Sequence, residues 1–205
     1  MERFLRLSGG VAAMPGANID TDVIMPKAFL KGIDRSGLAD GLFHDLRFDA
    51  AGARRNDFIL NRPGMTDTRF LLAGPNFGCG SSREHAVWGM LQYGIRAIAG
   101  TSFGAIFSDN AANNGLLLLT LPGSDIALLS DMLDDGAGQW TIDLEQERIE
   151  IADRIIRFDV DPAARQALML GLDRIGETLT HAAHIRAFEQ AYFASNPWLA
   201  GPAGG

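Results

Sequence analysis

A chain of 205 residues, 47% apolar and 21% charged, has the composition of a globular protein large enough to bury a core. Its formal net charge of -7 argues against a protein that grips a nucleic-acid backbone, a task that takes a basic face. No run approaches the roughly 18–20 consecutive apolar residues needed to span a bilayer.

The first ten residues carry Glu2, Arg3 and Arg6 and lack the apolar centre of a signal peptide, so the cytoplasm is the expected compartment. Residues 4–7 read as a short strand and 8–16 as the loop after it. Residues 17–55 mix charges, glycines and scattered apolar side chains without a clean period. They read as long loops with one short helix, and long loops in compact domains are often functional. The run 70–73 is a buried-strand signal closed by Gly74-Pro75. A glycine-rich turn, Phe77-Gly78-Cys79-Gly80, then leads into a helix predicted over 82–93. Strand 95–99, helix 102–113, strand 116–121 and helix 125–133 follow in alternation, which points to an α/β fold with a partly parallel sheet. Residues 141–151 and 154–160 alternate with period two and read as a hairpin. Helices are predicted over 162–171 and 175–194, the second with Ile185, Phe188, Ala191 and Tyr192 along one side. Residues 1–194 thus read as one domain, and 195–205, rich in proline and glycine, as a flexible C-terminal tail.

Three segments carry candidate chemistry. In Asn76-Phe77-Gly78-Cys79-Gly80-Ser81-Ser82-Arg83-Glu84-His85 a strand passes through glycines straight into a helix. Free N–H groups at a helix start attract anions, and the planar fork of Arg83 suits a carboxylate. Ser81 and Ser82 add hydroxyls beside it, so a pocket for a di- or tricarboxylic acid is one reading. The other is a capping box, Ser81-Ser82-Arg83-Glu84, that merely starts the helix. Cys79 is the only cysteine, which excludes an internal disulfide and leaves the chain short of the three or four thiolates of an ordinary iron–sulfur cluster. The second segment, Asn18-Ile19-Asp20-Thr21-Asp22, has two carboxylates two residues apart. A hard cation and a turn built on Asx side chains are both compatible with it, and the turn is the better reading from local chemistry. The third, Asp109-Asn110-Ala111-Ala112-Asn113-Asn114-Gly115, reads as a helix stop. His44, His85, His181 and His184 show no metal-site spacing, and no metal ligand is assigned.

Taken in order, these segments resemble the isopropylmalate dehydratase small-subunit family. The likeness is carried by Asn18, Asp20-Thr21-Asp22, Ile24, Pro26-Lys27 and Phe29-Leu30-Lys31, by Leu42-Phe43, Asp45 and Arg47-Phe48, and by Asn76 through Ala86 almost residue for residue. Ser102-Phe103, Ile106-Phe107, Asn110, Asn113-Asn114 and Gly171-Leu172-Asp173 continue it. The resemblance implies an α/β fold of the aconitase small-subunit type, a swivelling β/β/α domain that closes over a cluster-bearing large subunit. It implies a hydro-lyase that is active only as that complex, interconverting 2-isopropylmalate and 3-isopropylmalate in leucine biosynthesis. The [4Fe-4S] cluster would come from the large subunit, with no cofactor in this chain. Position by position, Ser81 matches the family's catalytic base, and Ser82 and Arg83 match substrate-contacting residues. Thr21 and Asp22 match an active-site motif, and Arg35 is the candidate for a second carboxylate clamp. Beside Arg35, the apolar Phe29 and Leu30 suit a branched alkyl group and mark 28–38 as a specificity loop. The chain departs from the family pattern at Leu46, Ala111-Ala112 and Leu118, none of them a candidate site residue. A citraconate, maleate or homoaconitate hydro-lyase subunit and a non-catalytic anion-binding module stand as alternatives.

Overall fold

A computed structural model describes residues 1–31, 36–80, 82–136 and 138–199. Seven strands form one sheet in the order β4-β3-β2-β1-β5-β6-β7. β1 (Arg6–Met14), β2 (Thr68–Ala73), β3 (Ala97–Gly100) and β4 (Leu117–Thr120) run parallel, while β5 (Gln139–Asp143), β6 (Arg148–Ile151) and β7 (Arg154–Arg157) continue the sheet antiparallel. The short helices α1 (Thr21–Ile24), α2 (Leu38–Gly41) and α3 (His44–Arg47) precede β2, and α4 (His85–Tyr93), α5 (Ala105–Asn114) and α6 (Gly123–Asp134) alternate with the parallel strands. After the sheet come α7 (Pro162–Leu170), α8 (Arg174–Thr180) and α9 (Ala182–Ser195).

The sheet divides the core because successive side chains of a strand point to opposite faces. On β2, Leu71 and Ala73 join Ile24, Phe43, Val87, Met90 and Phe107 on the face covered by α1–α5. Phe70 and Leu72 join Trp140, Ile142, Ile149, Leu129 of α6 and Leu168 of α7 on the other. Strands covered on both faces read as unbroken apolar runs, which is why β2, β3 and β4 stand out in the sequence. The α/β expectation therefore holds.

Several boundaries differ from those expected. The central strand of the sheet is β1, which begins within the strand expected over 4–7 and runs on through residues 8–14, expected to be a loop. Its Gly9-Gly10 pair conceals it. A Cβ on Gly9 would lie 2.2 Å from Cγ of Arg69, and the β1–β2 register shifts between Gly10 and Val11. Glycine is what allows β1 to lie this close to its neighbour at the irregularity. The expected hairpin is a three-stranded meander, because 141–151 turns within itself. There Asp143 Oδ1 accepts from the Gln146 N–H at 2.9 Å, and Glu147 takes φ 50° without a glycine to announce the turn. The expected helix 175–194 is two, broken at His181. Thr178 and Thr180 donate their hydroxyls to the carbonyls of Arg174 and Glu177 just before the break, local bonds of the kind that compete with a continuing helix. α9 extends to Ser195 and a 3₁₀ turn, Pro197–Leu199, follows it; the rest of the expected tail lies outside the described residues.

Residues 17–31 and 36–55 are more ordered than long loops would be. Buried Arg47 organises them by donating from Nη1 to the carbonyls of Ala39 at 2.9 Å and Leu42 at 3.1 Å, with Phe48 and Tyr93 flanking its guanidinium. Burial lowers its pKa, yet the carbonyls and ring faces keep the cation supported in place.

Candidate active site

Three loops leave the carboxyl ends of β1, β2 and β3, the side of a parallel sheet on which α/β proteins bind ligands. Backbone hydrogen bonds lace them together. The N–H groups of Asn18, Gly78 and Thr21 donate to the carbonyls of Pro75, Ile19 and Cys79 at 2.9, 2.8 and 2.9 Å, forming a short parallel bridge between Asp20 and Cys79. On its other side the loop after β2 bridges the loop after β3. The Gly104 N–H donates to the Phe77 carbonyl at 2.8 Å, and the Asn76 N–H to Oγ of Ser102 at 2.9 Å.

This packing explains the residue types in the motif. Asn18 and Asn76 both take φ 57°, a left-handed conformation that asparagine tolerates, and Asn76 Nδ2 donates to Asn18 Oδ1 at 2.8 Å. Gly78 has φ 74°, and a Cβ there would lie 2.3 Å from Cγ of Phe107; on Gly104 it would lie 2.5 Å from the carbonyl oxygen of Gly78.

Asp20 caps α1, its Oδ1 accepting from the N–H groups of Asp22 at 2.9 Å and Val23 at 2.8 Å. The carboxylate thus serves an Asx-type turn, in line with the local reading. Thr21 is buried at the start of α1. Asp22 forms an ion pair with Arg83, which joins the first and second motifs through side chains. Asp22 is half exposed while Arg83 is largely covered, so the pair opens to solvent on the aspartate side. Ser82 is exposed and Cys79 half-buried. Phe29 and Leu30 sit in a 3₁₀ turn, Lys27–Lys31, half-buried against the core, with the Phe29 ring 4.9 Å from that of His44. Ser81 and Arg35 lie outside the described residues. Among the described residues, no group of three or more His, Cys, Asp and Glu is arranged to hold a metal ion.

The expected helix start at 82 is corrected. α4 begins at His85, with Glu84 as its N-cap residue and no side-chain cap bond. Phe77 and Cys79 are each bridged to a neighbouring loop with Gly78 turning between them at φ 74°, so the helix begins only after the chain has cleared these bridges. Glu84 is thus the N-cap residue rather than the third residue of the helix, and its Oε1 accepts from Nδ2 of Asn114 at 2.6 Å; the Ser81 half of the expected capping box lies outside the described residues. Asn114 is the residue whose reach to the site sequence reasoning missed. Its signals were the Asn113-Asn114-Gly115 run, which accounts equally well for a helix stop, and its place in the family pattern, which names no partner for it.

The geometry has counterparts among known proteins. The family model of the aconitase C-terminal domain matches residues 1–124, and that of the C-terminal domain of the 3-isopropylmalate dehydratase small subunit matches 175–202. The chain is 48% identical over 97% of its length to a 3-isopropylmalate dehydratase small subunit of Mannheimia succiniciproducens, covering 99% of that protein. It is 47% identical to one of Salmonella typhimurium, covering 99% of this chain and 98% of the relative. A solved structure of 3-isopropylmalate dehydratase from Methanocaldococcus jannaschii superimposes with a TM-score of 0.65 at 27% identity, over 90% of this chain and 99% of that one.

Proposed function

Since the chain belongs to the 3-isopropylmalate dehydratase small-subunit family, we propose that it works in leucine biosynthesis as the substrate-closing half of that hydro-lyase. The reaction removes water from 2-isopropylmalate to give isopropylmaleate, then adds water back to give 3-isopropylmalate. Likeness along nearly the whole chain to small subunits of that name carries the reading. The converging loops and the Arg83–Asp22 pair support it from this chain's own geometry.

In this reading Arg83 binds a substrate carboxylate through its planar fork, with Asp22 holding the guanidinium ready. Arg35 takes a second carboxylate, Ser82 and Thr21 add contacts, and Phe29 and Leu30 face the branched alkyl group. Ser81 takes the proton from the carbon next to the carboxylate. A serine does so only as an alkoxide stabilised by nearby cations and N–H donors, a part that Arg83 and the backbone of the loop would fill. One cysteine does not fit an iron–sulfur cluster, which takes three or four ligands. The cluster, a Lewis acid for the departing hydroxyl, therefore belongs in this reading to the large subunit.

The test is to co-express the chain with a cluster-bearing large subunit, reconstitute the pair anaerobically, and assay isopropylmalates beside citraconate, maleate and homoaconitate. Turnover of the isopropylmalates, by the complex and not by this chain alone, is expected. Ser81→Ala should lower kcat by about 10²–10⁴ in a complex that still assembles. Preference for another diacid would overturn the substrate, and full activity in Ser81→Ala would overturn the base.

A further inference from the structure

One helix holds both ends of the loop that bears Ser82 and Arg83. At the amino end of α5, Gly104 donates its N–H to Phe77, and Phe107 fills the space left by the missing side chain of Gly78. At the carboxyl end, Asn114 reaches across to Glu84, the residue immediately after Arg83. Between these two attachments lie only residues 79–83.

The second attachment is chemically selective. Asn114 Nδ2 donates to Glu84 Oε1 at 2.6 Å and to the Asn110 carbonyl at 2.9 Å, while its Oδ1 accepts from Nε1 of Trp88 at 2.9 Å. The indole can only donate, and the carboxylate and carbonyl can only accept. An amide is the group of this size that meets all three, and in one orientation only. An aspartate would set an oxygen against two acceptors; an alanine would leave all three partners without it.

We propose that Asn114 is a positioning residue for the dehydratase reaction, fixing Glu84 so that Ser82 and Arg83 are presented in one geometry. The proposal rests on the functional reading above. Asn114 itself does not touch substrate. Its contribution passes through Glu84, so the two residues form one unit.

The experiment uses the reconstituted pair of small and large subunits with Asn114→Ala, Glu84→Ala, the double variant and Glu84→Gln. Each alanine should lower kcat/KM about tenfold or more, the scale of one lost charge-assisted hydrogen bond. The double variant should be no worse than the poorer single one, because the second change removes a contact already lost. Glu84→Gln, which keeps the acceptor oxygen, should retain most activity. Multiplying effects, or kcat/KM within twofold of wild type despite a lower melting temperature, would overturn the proposal. A readout independent of turnover is hydrogen exchange in the isolated chain. Asn114→Ala should speed exchange of the amides at 82–84 while those of β1 and β2 stay protected, and unchanged exchange at 82–84 would also overturn it. If Asn114→Ala fails to fold, Asn114→Asp is compared alone and with Glu84→Gln, which returns an amide donor to the contact. Recovery of slow exchange in the double variant supports the proposal, and none refutes it. A wild-type complex that turns over no diacid would strike the functional reading instead, and the exchange comparison would still decide the positioning role.

Discussion

A glycine in the loops, set against one outside them, and an arginine illustrate how single residues set this site. At Gly104 the obstacle to a side chain is the Gly78 carbonyl, part of the backbone of the neighbouring loop, so it cannot swing aside. Gly104→Ala should therefore displace the bridge and cost roughly 1–3 kcal/mol, the range of enforced local strain. At Gly123, where an added Cβ would meet open space, the same change should be neutral or slightly stabilising, since alanine favours the helix it begins. Denaturant melts of the two variants side by side check the contrast; equal effects would mean the loop yields more readily than its packing implies. At Arg83 the issue is shape as well as charge. Arg83→Lys keeps the cation but replaces the fork with a point charge, and in the assembled enzyme kcat/KM should fall about tenfold to a hundredfold. Near wild-type kinetics would show that carboxylate binding lies elsewhere.

At the scale of elements, stability and function separate cleanly in α7. Asp161 accepts from the N–H groups of Ala163 at 3.1 Å and Ala164 at 3.0 Å with Pro162 in the first turn, and it lies outside the candidate site. Asp161→Ala should cost about 0.5–2 kcal/mol of stability and leave turnover per folded complex unchanged, which paired melts and kinetics would reveal. The helix was legible in the sequence for the same reason: aspartate, proline and a closing Gly171 mark both ends. The buried parallel strands were legible from their apolar runs. Most of β1, from residue 8 on, was not, because its glycines serve close approach to β2, and a lone sequence shows glycine as a loop signal. The turn at Glu147 was hidden because its left-handed residue is not a glycine, while the Asp143 carboxylate bonds the Gln146 N–H within it. The candidate site was legible as three motifs in order. Their joining through Asp20–Cys79 and Phe77–Phe103 bridges was not, since backbone pairing between distant loops leaves no pattern in side-chain types.

Across the whole molecule, the candidate site gathers residues far apart in sequence: Thr21 bonds Cys79, and Gly104 bonds Phe77. A loop ordinarily opens on its own, but these loops are paired to one another in continuation of β1, β2 and β3. Opening any one of them breaks bonds belonging to another, so the group has no cheap local route to exposure. The consequence concerns time rather than geometry. The amides of Thr21, Gly78 and Gly104 should share the slow exchange of the central strands, becoming free only in the rare openings that release the sheet. Residue-resolved exchange rising with mild denaturant would show them merging with β2, whereas early independent release would show three separate loops. A preorganised site of this kind is complete only when the sheet is, so a chain with an incomplete sheet presents no half-made version of it to a substrate.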